Sequence, residues 1–263
     1  MRHLRLALAC AALLAACGSI SNDSAAPLEH RRGGAGAAVV VFQSGHGDGL
    51  SVWNAVQPRT DAFARTVAFS RPGYGRSLDT SGERSPCRAA EEQRALLKRA
   101  GLSPPYVLVG HSLGGLYQYA YALLHPDEVA ALVLLEPTHP DHWATIQRDA
   151  PVNAALVNVA RTRFSATMRR EFDDQTACVS KLDQAKLARV PVRLLVRGEF
   201  RGLEAGAFEV AARRLASDWA RRLRIDSPTI VEGAGHYIQR DKPNAVLDAI
   251  ASTISAPACQ ARS

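Results

Sequence analysis

A serine hydroxyl is a poor nucleophile until a fold activates it. The run "YVLVGHSLGGLYQYA", residues 106–120, holds a serine set up for that. Gly110-His111-Ser112-Leu113-Gly114 follows an apolar stretch and leads into a helical pattern. A strained strand-to-helix turn lifts such a side chain above a sheet, and glycines flank it where strand and helix leave no room. Gly115 adds clearance. The bland alternative is a serine that merely caps the helix in a tight turn, and the available partners decide between the two.

A base must come from elsewhere in the chain. Of eight histidines, His3 and His30 lie near the start, His111 flanks the serine but points away from it, and His125 ends a helix, where its charge suits the dipole. His236, in "VEGAGHYIQRDKP", follows the last short apolar run in a glycine-bracketed loop. It is the candidate base.

These residues need a scaffold. Apolar runs at 37–43, 65–70, 106–110, 131–136, 191–198 and 228–233 read as buried strands. Amphipathic runs at 88–101, 113–125, 204–223 and 243–254 read as helices. Their alternation predicts an α/β fold with a mostly parallel, doubly wound sheet covered on both faces. One domain over 37–254 follows, with a polar tail at 255–263. The interval between Glu136 and Val192 is about fifty residues, far more than one crossover helix needs. It reads as a helical cap inserted at about 138–188, over the carboxyl ends of the strands.

The segments "VVFQSGHGDGLSVWNAVQP", "VAFSRPGYGRS", "PYVLVGHSLGGLYQYAYALLHPDEVAALVLLEPTHPD" and "GAGHYIQRDKP" together resemble the α/β-hydrolases, over about residues 37–254. The resemblance implies a serine nucleophile elbow and an oxyanion hole formed by the backbone N–H groups of Leu113 and His46. It also implies a triad acid, where this chain departs from the commonest pattern. After the penultimate strand most relatives carry Asp, whereas "LLVRGEFRG" has Arg201 near that position and Glu199 slightly early. A second arrangement in the superfamily puts the acid at the end of the strand after the nucleophile helix, and "LVLLEP" supplies Glu136 there. A carboxylate closing an apolar strand needs a partner, which His236 would be. Glu199 and Asp141 remain the alternative acids.

No cofactor is implied. The Gly-rich "GHGDG" lacks a phosphate-cradling lysine, and His46 with Asp48 or His139 with His142 make small clusters for a metal. The N-terminus "MRHLRLALACAALLAACGSI" has basic residues, an apolar run at 6–16, and Leu14-Ala15-Ala16-Cys17, which resembles a bacterial lipobox. The expectation is a signal at 1–16, a lipidated Cys17 that holds the chain on the cell-envelope membrane, and a flexible tether at 17–36. That leaves Cys87, Cys178 and Cys259 in an oxidising space, with Cys87–Cys178 the preferred bridge because Cys259 sits in the polar tail. The formal charge of +7 is scattered rather than interleaved with aromatics, which argues against nucleic acid. A monomer is expected. The functional expectation is hydrolysis of an ester or similar acyl compound. A binding lipoprotein on a decayed site, and acyltransferase, peroxidase-like or lyase chemistry, remain the alternatives.

Overall fold

A computed structural model describes residues 28–256 and 259 of the 263. The signal and lipidation readings at residues 1–17 lie outside the described residues. Seven strands make one sheet: β1 (His30–Gly33), β2 (Val39–Gln43), β3 (Arg65–Phe69), β4 (Tyr106–His111), β5 (Val129–Leu135), β6 (Val192–Arg197) and β7 (Thr229–Val231). Their order is β1-β3-β2-β4-β5-β6-β7, and all pair parallel except β1, which runs antiparallel to β3. The helices are α1 (Gln57–Thr60), α2 (Pro86–Arg99), α3 (Leu113–Leu124), α4 (His142–Asp149), α5 (Pro151–Arg161), α6 (Ala166–Asp174), α7 (Ala207–Leu223), α8 (Ile238–Asp241) and α9 (Pro243–Ser255). This is the mostly parallel, doubly wound architecture that the alternating runs predict.

The pleat explains the two cores. Val39, Val41, Leu108, Leu132 and Leu134 point to one face, where α2, α3 and α7 bury them with Leu97, Tyr117 and Trp219. Val40, Phe42, Val109, Val133 and Leu135 point to the other, against Trp53 and, from α9, Val246 and Ile250. Strands covered on both sides can be apolar at every position, and β5 is buried throughout.

Three sequence-based boundaries are corrected. The expected tether at 17–36 is partly structure: Leu28 is buried and His30–Gly33 pairs with β3. Polar contacts rather than apolar burial hold that edge strand, so hydrophobic patterning gave no sign of it. Arg31 donates to Gln57 and Asn54, each at 2.7 Å, and Gln57 donates back to the Arg31 carbonyl. The long helix begins at Ala207 rather than 204 because Gly206 takes φ 77°, outside helical geometry. Cys259 is buried against the α9 face of the sheet, within the stretch expected to be a polar tail.

Helices α4, α5 and α6, followed by short turns at Val179–Lys181 and Gln184–Leu187, lie between β5 and β6 and form the cap. Two devices bind it to the body. Cys87, at the start of α2, is disulfide-bonded to Cys178, just past α6. Glu171 of α6 meets Arg71 of the "RPGYGRS" loop in a bidentate pair of 2.7 and 2.9 Å, with both side chains at most 1% exposed. Tyr74 adds a 2.7 Å hydroxyl bond to the same carboxylate, and Arg84 stands 3.6 Å away. Burial opposes charge on Arg71, but Glu171 outweighs it and keeps the guanidinium protonated.

Breaking a buried pair leaves one charge without compensation, at about 3 to 5 kcal/mol. Glu171→Ala should lower the unfolding free energy by that amount in urea titrations. Glu209→Ala, which removes the partner of exposed Arg213, should cost under about 1 kcal/mol. Similar losses for both would show that the cap contact carries no special weight.

Candidate active site

Register brings the candidate residues together. Gln43 of β2 pairs with Gly110 of β4, and His111 pairs with Leu135 of β5. The loop after β2, the turn after β4 and the end of β5 therefore adjoin at the carboxyl edge. Sequence order reverses between β3-β2 and β4-β5, which makes this edge a switch-point crevice. The Ser112 N–H donates to the Leu135 carbonyl at 2.9 Å, and the Glu136 N–H to the Leu195 carbonyl at 2.9 Å.

Ser112 has φ 53° and ψ −122°, and its side chain makes no cap hydrogen bond to α3. The simple helix-cap reading therefore fails. A Cβ on Gly114 would come within 2.3 Å of the Gln43 carbonyl oxygen, and one on Gly110 within 2.5 Å of that of Gly114. The glycines on both sides are thus steric requirements of the turn.

Glu136 also sits at positive φ, 47°, immediately beyond β5. Its carboxylate accepts from the Arg197 N–H at 2.6 Å and from Arg197 Nε at 3.1 Å. Its Oε2 lies 3.9 Å from His236 Nδ1. Burial alone would raise this carboxyl, but His236 and Arg197 outweigh burial and hold it at about 2, below its ordinary 4.5. The other two acids face elsewhere. Glu199 pairs with Arg201, Asp141 with Arg222 at 3.2 Å, and neither lines the cavity described below.

The His236 loop is held from beneath. Its carbonyl bonds His111 Nε2 at 2.9 Å, and the two rings lie 4.7 Å apart. His111 is fully buried, which drives its imidazole to the neutral form. It turns away from the cavity, as its place in the turn suggested, yet it supports the loop that carries the candidate base.

Arg71 shapes the opposite side. Its guanidinium donates to the carbonyls of Ser44 at 2.5 Å and Gly45 at 2.9 Å. A trans peptide sets C=O and N–H in opposite directions, so the His46 N–H points away from Arg71. Gly45 passes so close to the serine that a Cβ there would lie 3.2 Å from Ser112 Cβ. The Ser112 carbonyl is likewise tied down by Gly115 and Thr138 N–H groups, each at 2.9 Å, which turns the Leu113 N–H the other way. Neither N–H has a backbone acceptor among the described residues. The His46 ring meets the Met168 carbonyl at 2.8 Å and tilts against Phe164.

A cavity of about 510 Å³ opens over this edge, with Ser112, Leu113, Glu136, His236 and His46 in its wall. Leu156, Val157, Phe164, Phe172, Leu215 and Trp219 make most of the remainder apolar. Trp143, outside that wall, packs on Phe172 with ring centroids 5.1 Å apart. His142 also lines the space, and burial pushes its imidazole down to about 4. Among the described residues no three His, Cys, Asp or Glu side chains gather as metal ligands.

Arg197 escaped the sequence reading. Its Nη2 stands 3.3 Å from His236 Nδ1, while Nη1 pairs with Glu204 at 2.8 Å. The signal was present: an arginine closing a buried strand needs a partner as much as Glu136 does. Arg71 lay inside a motif noted only for its resemblance.

The family model described as "Alpha/beta hydrolase family" matches residues 38–249. An uncharacterized Bacillus subtilis protein, YqjL, is 25% identical over 237 residues, 88% of each chain. A 2-hydroxy-6-oxononadienedioate/2-hydroxy-6-oxononatrienedioate hydrolase of Paraburkholderia phymatum is 35% identical over 108 residues, 39% of this chain and 37% of that one. A thermophilic esterase from Thermogutta terrifontis superposes with a TM-score of 0.61 at 18% identity, over 86% of this chain and 92% of that one. The chain belongs to the alpha/beta hydrolase family, and hydrolysis is its general chemistry.

The lowered Glu136 carboxyl makes an acid-stability prediction. A depressed carboxylate stabilises the fold fully above its unfolded value, and that contribution disappears as pH falls through the folded one. The stability gap between the native chain and Glu136→Gln should be constant above about pH 5 and should close as pH falls from 4.5 towards about 2. Denaturant midpoints across that range measure it, and a gap indifferent to pH would contradict the assignment.

Proposed function

We propose that the chain is a serine hydrolase of a carboxylic ester or similar acyl compound. Ser112 is the nucleophile, His236 the base, Glu136 the orienting acid, and the N–H groups of His46 and Leu113 the oxyanion donors. The observation that carries the reading is the convergence of Ser112, Glu136 and His236 on one cavity wall, with the serine side chain unused as a cap.

In this mechanism Ser112 Oγ attacks the acyl carbon while His236 Nε2 takes its proton. The carbonyl oxygen gains the negative charge, which the two amides stabilise. His236 returns the proton to the leaving oxygen, the C–O bond breaks, and an acyl-enzyme remains. Water, deprotonated by the same imidazole, then releases the acid and restores the hydroxyl. Base action at Nε2 requires the ring proton on Nδ1, directed to Glu136. Arg197 Nη2 competes for that edge, since a bare Nδ1 would accept from it. Closing the 3.9 Å gap to Glu136 would select the productive tautomer.

The apolar wall favours an acyl or aromatic group without charge. A space of about 510 Å³ falls within the ordinary range of small-molecule sites and has room for an acyl chain together with its leaving group. The lipobox-like Cys17 supports residence on the envelope membrane of a bacterium, with the domain outside the cytoplasm.

p-Nitrophenyl esters of graded chain length test the reading. Ser112→Ala should lose about six orders of magnitude in kcat/KM while keeping the native circular dichroism. A mutant that retained its rate would refute the nucleophile. Rates should rise with chain length while the added methylenes still fit the cavity and then fall, whereas a flat series would put the acyl group outside it.

A further inference from the structure

The cap carries an apolar stripe left exposed by the described residues. On α5, Val152, Leu156 and Val159 recur at i, i+4 and i+7, and they are 64%, 45% and 67% exposed. That spacing lines one helix face. The stripe continues off the helix. Asn153 Nδ2 donates to the Leu203 carbonyl at 2.8 Å, and the Leu203 side chain is exposed. Ala154 and Ala211 belong to one buried cluster with Ile146 of α4 and Ala150, which ties both α5 and the first half of α7, with exposed Val210, to α4. Leu156, Asn153 and Leu203 also line the cavity, so the stripe borders its mouth.

Charge and chain path both point to one occupant. Residues 151–170 hold Arg161, Arg163, Arg169 and Arg170 and no Asp or Glu. Arg161 and Arg170 pair with Asp173 and Asp79, while Arg163 and Arg169 have no carboxylate partner among the described residues. Arginines beside exposed valines and leucines match the apolar interior and anionic headgroups of a bilayer surface. β1 runs antiparallel to β3, with His30 opposite Phe69, so the chain enters at the carboxyl edge of the sheet, the end that bears the cap. Ten residues separate Cys17 from Leu28, a reach of at most about 40 Å.

We propose that the α5 face, with Leu203 and Val210, docks on an anionic phospholipid bilayer and turns the cavity mouth towards lipid. The Cys17 anchor belongs to the reading proposed above. The docking face stands apart from the catalytic assignment, because its test involves no turnover.

Full chains carrying Val159→Trp, or Ser227→Trp just before β7 at the opposite edge, would be reconstituted into vesicles of equal phosphatidylglycerol and phosphatidylcholine with brominated tails. Quenching of the added fluorescence over the parent signal should be at least threefold greater at 159 than at 227. Adding Val152→Ser and Val210→Ser should remove most of that difference, and these two residues lie outside the cavity wall. Equal quenching at both positions would overturn the proposal. So would a stable vesicle-free dimer that Val152→Ser with Val210→Ser dissolves, since the face would then belong to a second copy. Fluorophosphonate labelling of the same samples reports the catalytic reading separately, so either can fail alone.

Discussion

The fully buried guanidinium of Arg71 is the contact on which the site most depends. It holds the carbonyls of Ser44 and Gly45 on one side and the carboxylate of Glu171 on the other. The first pair orients the loop beside Ser112, and the second fixes α6 over the same space. One charged group therefore sets both the floor and the roof of the cavity. A buried pair gives little net stability compared with apolar packing, so a fixed geometry is the better account of its presence. The rings of Tyr74 and Tyr117 flank it at about 5 Å, as a stacked guanidinium favours.

The carboxyl edge collects an unusual density of constraint. Ser112 and Glu136 are two of the three non-glycine residues with positive φ among the described residues. Such conformations cost of order 1–3 kcal/mol each and persist where surroundings enforce them. Strand register supplies the enforcement, because the Ser112 N–H is bonded to the Leu135 carbonyl at the end of β5 and the Glu136 N–H to the Leu195 carbonyl of β6. Glu136 is then saturated by Arg197, so it stays ionised in a place where burial would neutralise it. The arrangement leaves the His236 ring between a carboxylate and a cation, and the relative distance of the two decides its tautomer.

Much of this was legible in the sequence. The sheet and its covering helices followed from apolar runs that alternate with amphipathic ones. The glycines around Ser112 and the loop around His236 were visible as strings. Glu136 could be favoured over Glu199 and Asp141 because a carboxylate ending a buried strand needs a partner. What stayed hidden were interactions between residues far apart in the chain. Arg71 and Glu171 are separated by 100 positions and Arg197 and Glu136 by 61, and no local pattern links either pair. The edge strand at His30–Gly33 was missed for a different reason, since polar contacts hold it and leave no hydrophobic period to read.

The central claim is that the fold makes one particular hydroxyl reactive. Incubation of the folded chain with a fluorophosphonate, followed by mass mapping of the peptide that gains the phosphonyl group, tests it most directly. The account predicts a single stoichiometric adduct on Ser112, abolished when the chain is unfolded before exposure. No adduct under native conditions, or an adduct on another serine, would contradict it.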